Sequence, residues 1–403
     1  MERDLDLDFV RAQFPAFSEP SLQGWAFFEN AGGSYPCQQV TDRLERFYRE
    51  RKVQPYSAYP ASTLGGQEMD EARRRLAVMM NVETEELSFG PSTTTNTYVL
   101  AHAFRQFLSP GEAVVVTNQD HEANSGPWRR LEAEGIEIRE WCMDPDTGML
   151  DLNALDALLD DNVRLVCFPH CSNVIGAINP VAEIVSRVHL AGAFACVDGV
   201  SYAPHGLPDV GALGADIYLF STYKTFGPHQ GVMVIKRGLG EALPNQGHVF
   251  NGGSLYKRFT PSGPDHAQIA ACAGMADYFD AYADYHGLNS PQAVHDSMRA
   301  HEIKLLQPVL DAFSGRNDVR MLGPNKAEDR APTIALDLGR SVEGLEEALA
   351  QHKIMAGAGD FYAGRALKGV GVDPDQGVLR VSFVHYTSET EVDRMIEAVE
   401  SVI

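Results

Sequence analysis

The chain has 403 residues, which suits two packed domains or one large domain with a satellite. Hydrophobic residues make up 44% and charged residues 22%, so a folded globular protein is expected and a disordered one is not. Lys and Arg number 33 against 55 Asp and Glu; the formal charge of -22 opposes nucleic-acid phosphates and anionic lipid heads but leaves room for a small anion at a helix end.

Met1 to Asp8 alternates acid and Leu, without the basic start and apolar centre of a secretory signal. No apolar run reaches the roughly 20 residues of a membrane helix, so a cytoplasmic protein is expected. "GPSTTTN" (90–96) sets Ser92, Thr93, Thr94 and Thr95 at the start of an apolar helix. Free N–H groups, the helix dipole and hydroxyls together make an anion cradle. Strand and helix patterns then alternate: strands at 112–119, 136–143, 163–170, 193–199, 217–221 and 231–236, with helices at 128–135, 150–160 and 181–192. This spacing predicts crossover connections, a mostly parallel sheet and an α/β fold. Residues 238–265 read as loop and domain edge. A long helix follows over 291–314, then a strand (333–338), a helix (343–353), a strand (377–386) and a last helix whose Ser388 and Glu391 have capping-box spacing. The expected division is an N-terminal segment (1–20) packing on the small domain, a large domain (21–265) and a small α+β domain (266–403).

The six cysteines, Cys37, Cys142, Cys167, Cys171, Cys196 and Cys272, form no CxxC pair and read as free thiols of a reducing compartment. Cys167, His170 and Cys171 lack the second half of a metal site, so no metal is expected. In a parallel sheet, ligands sit beyond the carboxyl ends of the strands. Asn173, Asp198 and Lys224 all fall there. A lysine amine that can form a Schiff base, with a carboxylate that can keep a pyridine nitrogen protonated, is the equipment for pyridoxal 5'-phosphate (PLP) chemistry.

Taken in order, these segments resemble the class V aminotransferase family, in its cysteine desulfurase and selenocysteine lyase branch. "FFENAGGS" (27–34) resembles an N-terminal family motif and implies Asn30 at the substrate. "GPSTTTN" is similar to the phosphate turn and implies Thr93 and Thr94 there. "DHEANSGPW" (120–128) implies that His121 stacks on the cofactor ring. "SNVIGAINPV" (172–181) implies that Asn173 contacts the phenolic oxygen. "VDGVSYAPH" (197–205) implies Asp198 as the pyridinium carboxylate, with Ser201 near the phenolic oxygen. "FSTYKTFGPHQG" (220–231) implies Ser221 and Tyr223 at the phosphate and Lys224 as the Schiff-base lysine. "LRVSFVHYTSETEVDRMI" (379–396) implies Arg380 on the substrate α-carboxylate. The resemblance implies the type I PLP fold, with a large mostly parallel domain and a smaller C-terminal α+β domain, and a homodimer with shared sites.

The departures shape the reading. Tyr362, in "IMAGAGDFYAGRAL" (354–367), falls where desulfurases carry the cysteine that holds a persulfide, and no cysteine occurs after Cys272. A phenol forms no persulfide. Tyr223 stands where desulfurases usually have His, and Gly263 where the inter-subunit phosphate loop usually has Thr. The implied activity is β-elimination, a lyase reaction, on a small β-substituted α-amino acid, with Tyr362 as an acid or an orienting hydroxyl. Transamination to a keto acid and racemisation are the alternatives. A DNA-binding regulator is not expected from a charge of -22 and ends too short for an attached domain.

Overall fold

The computed structural model describes residues 5–403, so the reading of Met1 to Asp4 lies outside the described residues. The strands in chain order are β1 (Ala26–Phe27), β2 (Leu87–Gly90), β3 (Ala113–Thr117), β4 (Glu137–Trp141), β5 (Val163–Pro169), β6 (Phe194–Asp198), β7 (Ile217–Ser221) and β8 (Gly231–Ile235). The C-terminal part adds β9 (Arg320–Leu322), β10 (Thr333–Asp337), β11 (Ile354–Met355), β12 (Gly357–Gly359) and β13 (Val378–Ser382).

Seven strands form one sheet in the order β2-β8-β7-β6-β5-β3-β4. All neighbours from β7 to β4 pair in parallel, while β8 runs antiparallel to both β7 and β2. Apart from its edge strand β4, the sheet is buried on both faces, and its residues divide with period two. Val115, Ala195, Val197, Tyr218, Phe220, Val232 and Val234 join one core. Val114, Val116, Cys196, Ile217, Leu219, Met233 and Ile235 join the core of the other face, with Leu100, Phe104 and Trp128. Near-continuous apolar strands are what a helix-covered parallel sheet requires.

The smaller sheet has the order β12-β13-β10-β9 and is antiparallel throughout. The helix Pro291–Phe313 and the last helix, Glu389–Val402, pack Leu306, Leu310, Met395 and Val399 onto Ile334, Leu336, Leu379 and Val381. The last helix begins in the expected capping box of Ser388 and Glu391.

Two elements differ from the periodicity. The helix expected from 128 begins at Glu122, includes Pro127 and tightens into a 3-10 turn (Arg130–Glu134) before the left-handed Gly135. The strand expected over 377–386 stops at Ser382. Beyond it His385 and Tyr386 turn inwards to an aromatic cluster with Phe14, Phe226 and Tyr278. β1 pairs in parallel with β11, which ties the early chain to the C-terminal part. The helix Ala273–His286 packs on the helices Gln38–Glu50 and Pro60–Met79, where Asp277 is shared by Arg43 and Arg75. The N-terminal segment meets the last helix through Arg11 and Glu391.

Candidate active site

Four of the five segments that build the site leave the carboxyl end of a parallel strand, and the fifth leaves β2, which runs in the same direction. After β2, Ser92 caps the helix Thr93–Phe107, accepting the Thr95 N–H at 3.1 Å. Thr95 turns its hydroxyl back to Ser92 at 3.0 Å, so Thr93 and Thr94 are the members of the run that line the cavity. Thr93 Oγ1 lies 2.8 Å from Ser221 Oγ at the end of β7. Gly231 of β8 lets the strand pass this close, because a Cβ there would collide with Ser92 and stand 2.6 Å from the Thr93 nitrogen.

After β3, Thr117 and Asn124 both hydrogen-bond the buried Asp120 carboxylate. This fixes the turn that presents His121. The His121 Nδ1 accepts the Ala123 N–H at 3.0 Å, so a neutral ring carries its proton on Nε2. Burial, with Lys224 and Arg380 adding to it, pulls His121 down to about 3. After β6, Asp198 Oδ1 accepts the Val200 N–H at 2.8 Å. Burial pushes this carboxyl up to about 6, against the pull of that N–H and of Lys224. After β7 comes Lys224, which burial and Arg380 lower to about 8, with Asp198 and Glu29 opposing.

Thr93, Thr94, His121, Asn173, Asp198, Ser201, Ser221, Tyr223 and Lys224 all line one cavity. Asn173 follows β5, and its buried Oδ1 has no partner among the described residues. Its Nδ2 donates to the Phe361 carbonyl at 3.0 Å, and its own carbonyl accepts Arg380 Nη1 at 3.0 Å.

The remaining expected residues stand outside the lining. Arg380, on β13, is 3% exposed, stacks its guanidinium 3.8 Å from the Phe361 ring centroid and donates Nη2 to Glu29 Oε1 at 2.5 Å. Asn30, expected at the substrate, is not brought to the cavity. Its Oδ1 accepts the Tyr386 hydroxyl and its Nδ2 donates to the Ser382 carbonyl, so both ends of its amide are occupied. Ser34, from the same motif, is the residue that reaches the lysine segment: its Oγ donates to the Lys224 carbonyl at 2.7 Å. Tyr362 is 74% exposed, at φ +55°, with its ring centroid 5.6 Å from that of His121. His170 is structural: it bonds Tyr218 and stacks on Tyr202.

The class V aminotransferase family matches residues 26–395. The chain belongs to this family. An aminotransferase-like protein, FGM3, from Gibberella zeae is 33% identical over 98% of both chains. A cysteine desulfurase of Serratia proteamaculans is 29% identical over 98% of both. Among solved structures, a cysteine desulfurase of Thermococcus onnurineus NA1 superposes with a TM-score of 0.87 at 22% identity, covering 100% of this chain and 99% of that one. The cysteine desulfurase CsdA of Escherichia coli gives 0.83 at 23%, covering 99% of both. The class V fold therefore has the type I architecture, with its mainly parallel sheet and small antiparallel sheet.

Enzymes of the class V family depend on PLP, and the residues present suit that group. A hydroxyl-lined helix start fits a phosphate, a buried carboxylate beside a dry lysine fits a protonated pyridine and its aldehyde, and the orphaned Asn173 Oδ1 marks a polar space. Two neighbours of the site were not singled out from the sequence. Glu29 stood inside the quoted "FFENAGGS" motif and could have been found there. Phe361 carried no signal, because its contact with Arg380 depends on the pairing of β12 with β13.

Proposed function

We propose that this class V enzyme holds PLP on Lys224 and acts on a small α-amino acid by β-elimination, without a persulfide cysteine. The observation that carries the reading is the convergence of Lys224, Asp198, His121 and the Thr93–Ser221 hydroxyl pair on one cavity. Bound PLP supplies an electron sink beside the substrate α-carbon. Asp198 holds negative charge where a pyridine nitrogen would stand. His121, neutral at pH 7, offers a ring face and an Nε2–H donor. Lys224 Nζ, titrating near 8, can both take and return a proton at the α-carbon. Arg380 offers a planar fork for the α-carboxylate.

The cysteines support the absence of a persulfide route. Cys171, the cysteine that lines the cavity, is 2% exposed and pushed up to about 12 by burial. Thiolate chemistry needs the opposite shift. The exposed Tyr362, beside His121, is free to approach a substrate as a hydroxyl donor. Homodimer formation belongs to the same reading, supported by Val249 at 94% and Phe250 at 83% exposure, with Phe250 lining one groove with Thr260, Ser262 and Gly263.

The test is the fate of the cofactor. The holoprotein is incubated with single amino acids and no keto acid, and the cofactor is then released and weighed by mass spectrometry. Unchanged PLP, with keto acid and ammonia accumulating over many turnovers, is expected. Stoichiometric pyridoxamine phosphate would make transamination the activity.

A further inference from the structure

We infer that Glu29 is a built-in stand-in for the substrate carboxylate, a positioning residue that occupies the Arg380 fork until substrate displaces it. The inference rests on the proposed role of Arg380. Arg380 is buried, and an unpaired cation there would be costly. Its Nη1 is held by the Asn173 carbonyl, and its Nη2 meets Glu29 Oε1 at 2.5 Å. Its buried Nε has no partner among the described residues. The fork is thus one contact short of a bidentate carboxylate, and the group now on it is itself a carboxylate.

Glu29 is delivered to this place by the backbone. Its Oε2 accepts the Gly32 N–H at 3.0 Å. A Cβ on Gly32 would stand 2.6 Å from Oε2, and one on Gly357 would stand 2.7 Å from Oε1. Two glycines therefore leave the room that the carboxylate fills. Its side chain is nevertheless 26% exposed, so it has an open direction in which to withdraw. A ligand carboxylate competes with it and binds with an affinity reduced by the fraction of time the fork is taken. Ligands that lack a carboxylate do not feel this competition.

The experiment compares glycine with methylamine, which has the amine and no carboxylate. Dissociation constants are measured on the cofactor-loaded protein from the change in its visible absorption. Glu29→Gln is expected to tighten glycine by roughly three- to tenfold, for a fork occupied about 70–90% of the time. Methylamine should be unchanged. Glu29→Asp keeps the charge but is one methylene shorter, and it should tighten glycine too; it also serves if the Gln variant does not fold. Tightening by Gln and not by Asp would mean a general charge effect and overturn the stand-in. If Arg380→Ala weakens glycine while neither Glu29 variant tightens it, the stand-in alone is wrong. If Arg380→Ala leaves glycine unchanged, the reading of Arg380 falls, and this inference falls with it.

Discussion

Lys224 shows how one residue ties stability to function. Its amine titrates near 8 in the fold, against an ordinary 10.5. Between those values the unfolded chain holds more protons, so stability rises with pH across that window. Below about pH 8 the buried cation costs on the order of 3 kcal/mol, at ~1.4 kcal/mol per pKa unit. Cofactor-free Lys224→Met should therefore melt above the parent protein at pH 7, and the gap should close towards pH 10.5. The same variant should lack the visible absorption of bound cofactor. A gap that ignores pH would mean that Lys224 is not desolvated. Tyr362→Phe separates chemistry from surface display: a fall in kcat of about tenfold or more is expected if the phenol donates a proton. An unchanged kcat would remove it from the reaction.

Elements explain why these side chains meet. Four parallel strands and β2 end on one side of the sheet, and each end contributes a short polar turn. The approach of β8 to the helix start depends on Gly231 having no side chain. Gly231→Ala should shift that helix start and weaken cofactor binding by roughly 1–2 kcal/mol, about tenfold in Kd by absorbance titration. Unaltered affinity would mean that the Thr93 turn does not hold the phosphate. The strands were legible because apolar runs bounded by Gly and Asp have few other uses. The early stop of β13 was not legible. "FVHY" continues the strand pattern, and what bends it is the cluster with Phe14, Phe226 and Tyr278, residues distant in sequence.

At the scale of the whole molecule, boundaries at 20/21 and 265/266 follow composition, whereas contacts run across them. β1 pairs with β11, and the helix Ala273–His286 packs on helices of the first hundred residues. The exposed Val249 and Phe250 bear on assembly. Light scattering should give twice 44.1 kDa, and Phe250→Asp should shift it towards one chain. A parent protein that stays at one chain would overturn the dimer. The sequence by itself determined the α/β class and set the Ser92–Thr95 run at a helix start and Asn173, Asp198 and Lys224 at strand ends, because local periodicity and turn chemistry act over a few residues; His121, Ser201, Ser221 and Tyr223 were implied by the family motifs. It also carried Arg380, through a motif. The tertiary structure alone decided what those residues face. Glu29 lies on Arg380 and Asn30 is consumed by Tyr386, contacts that join segments 351 and 356 residues apart, and Phe361 covers the guanidinium from beside the strand paired with β13; only packing brings these groups together.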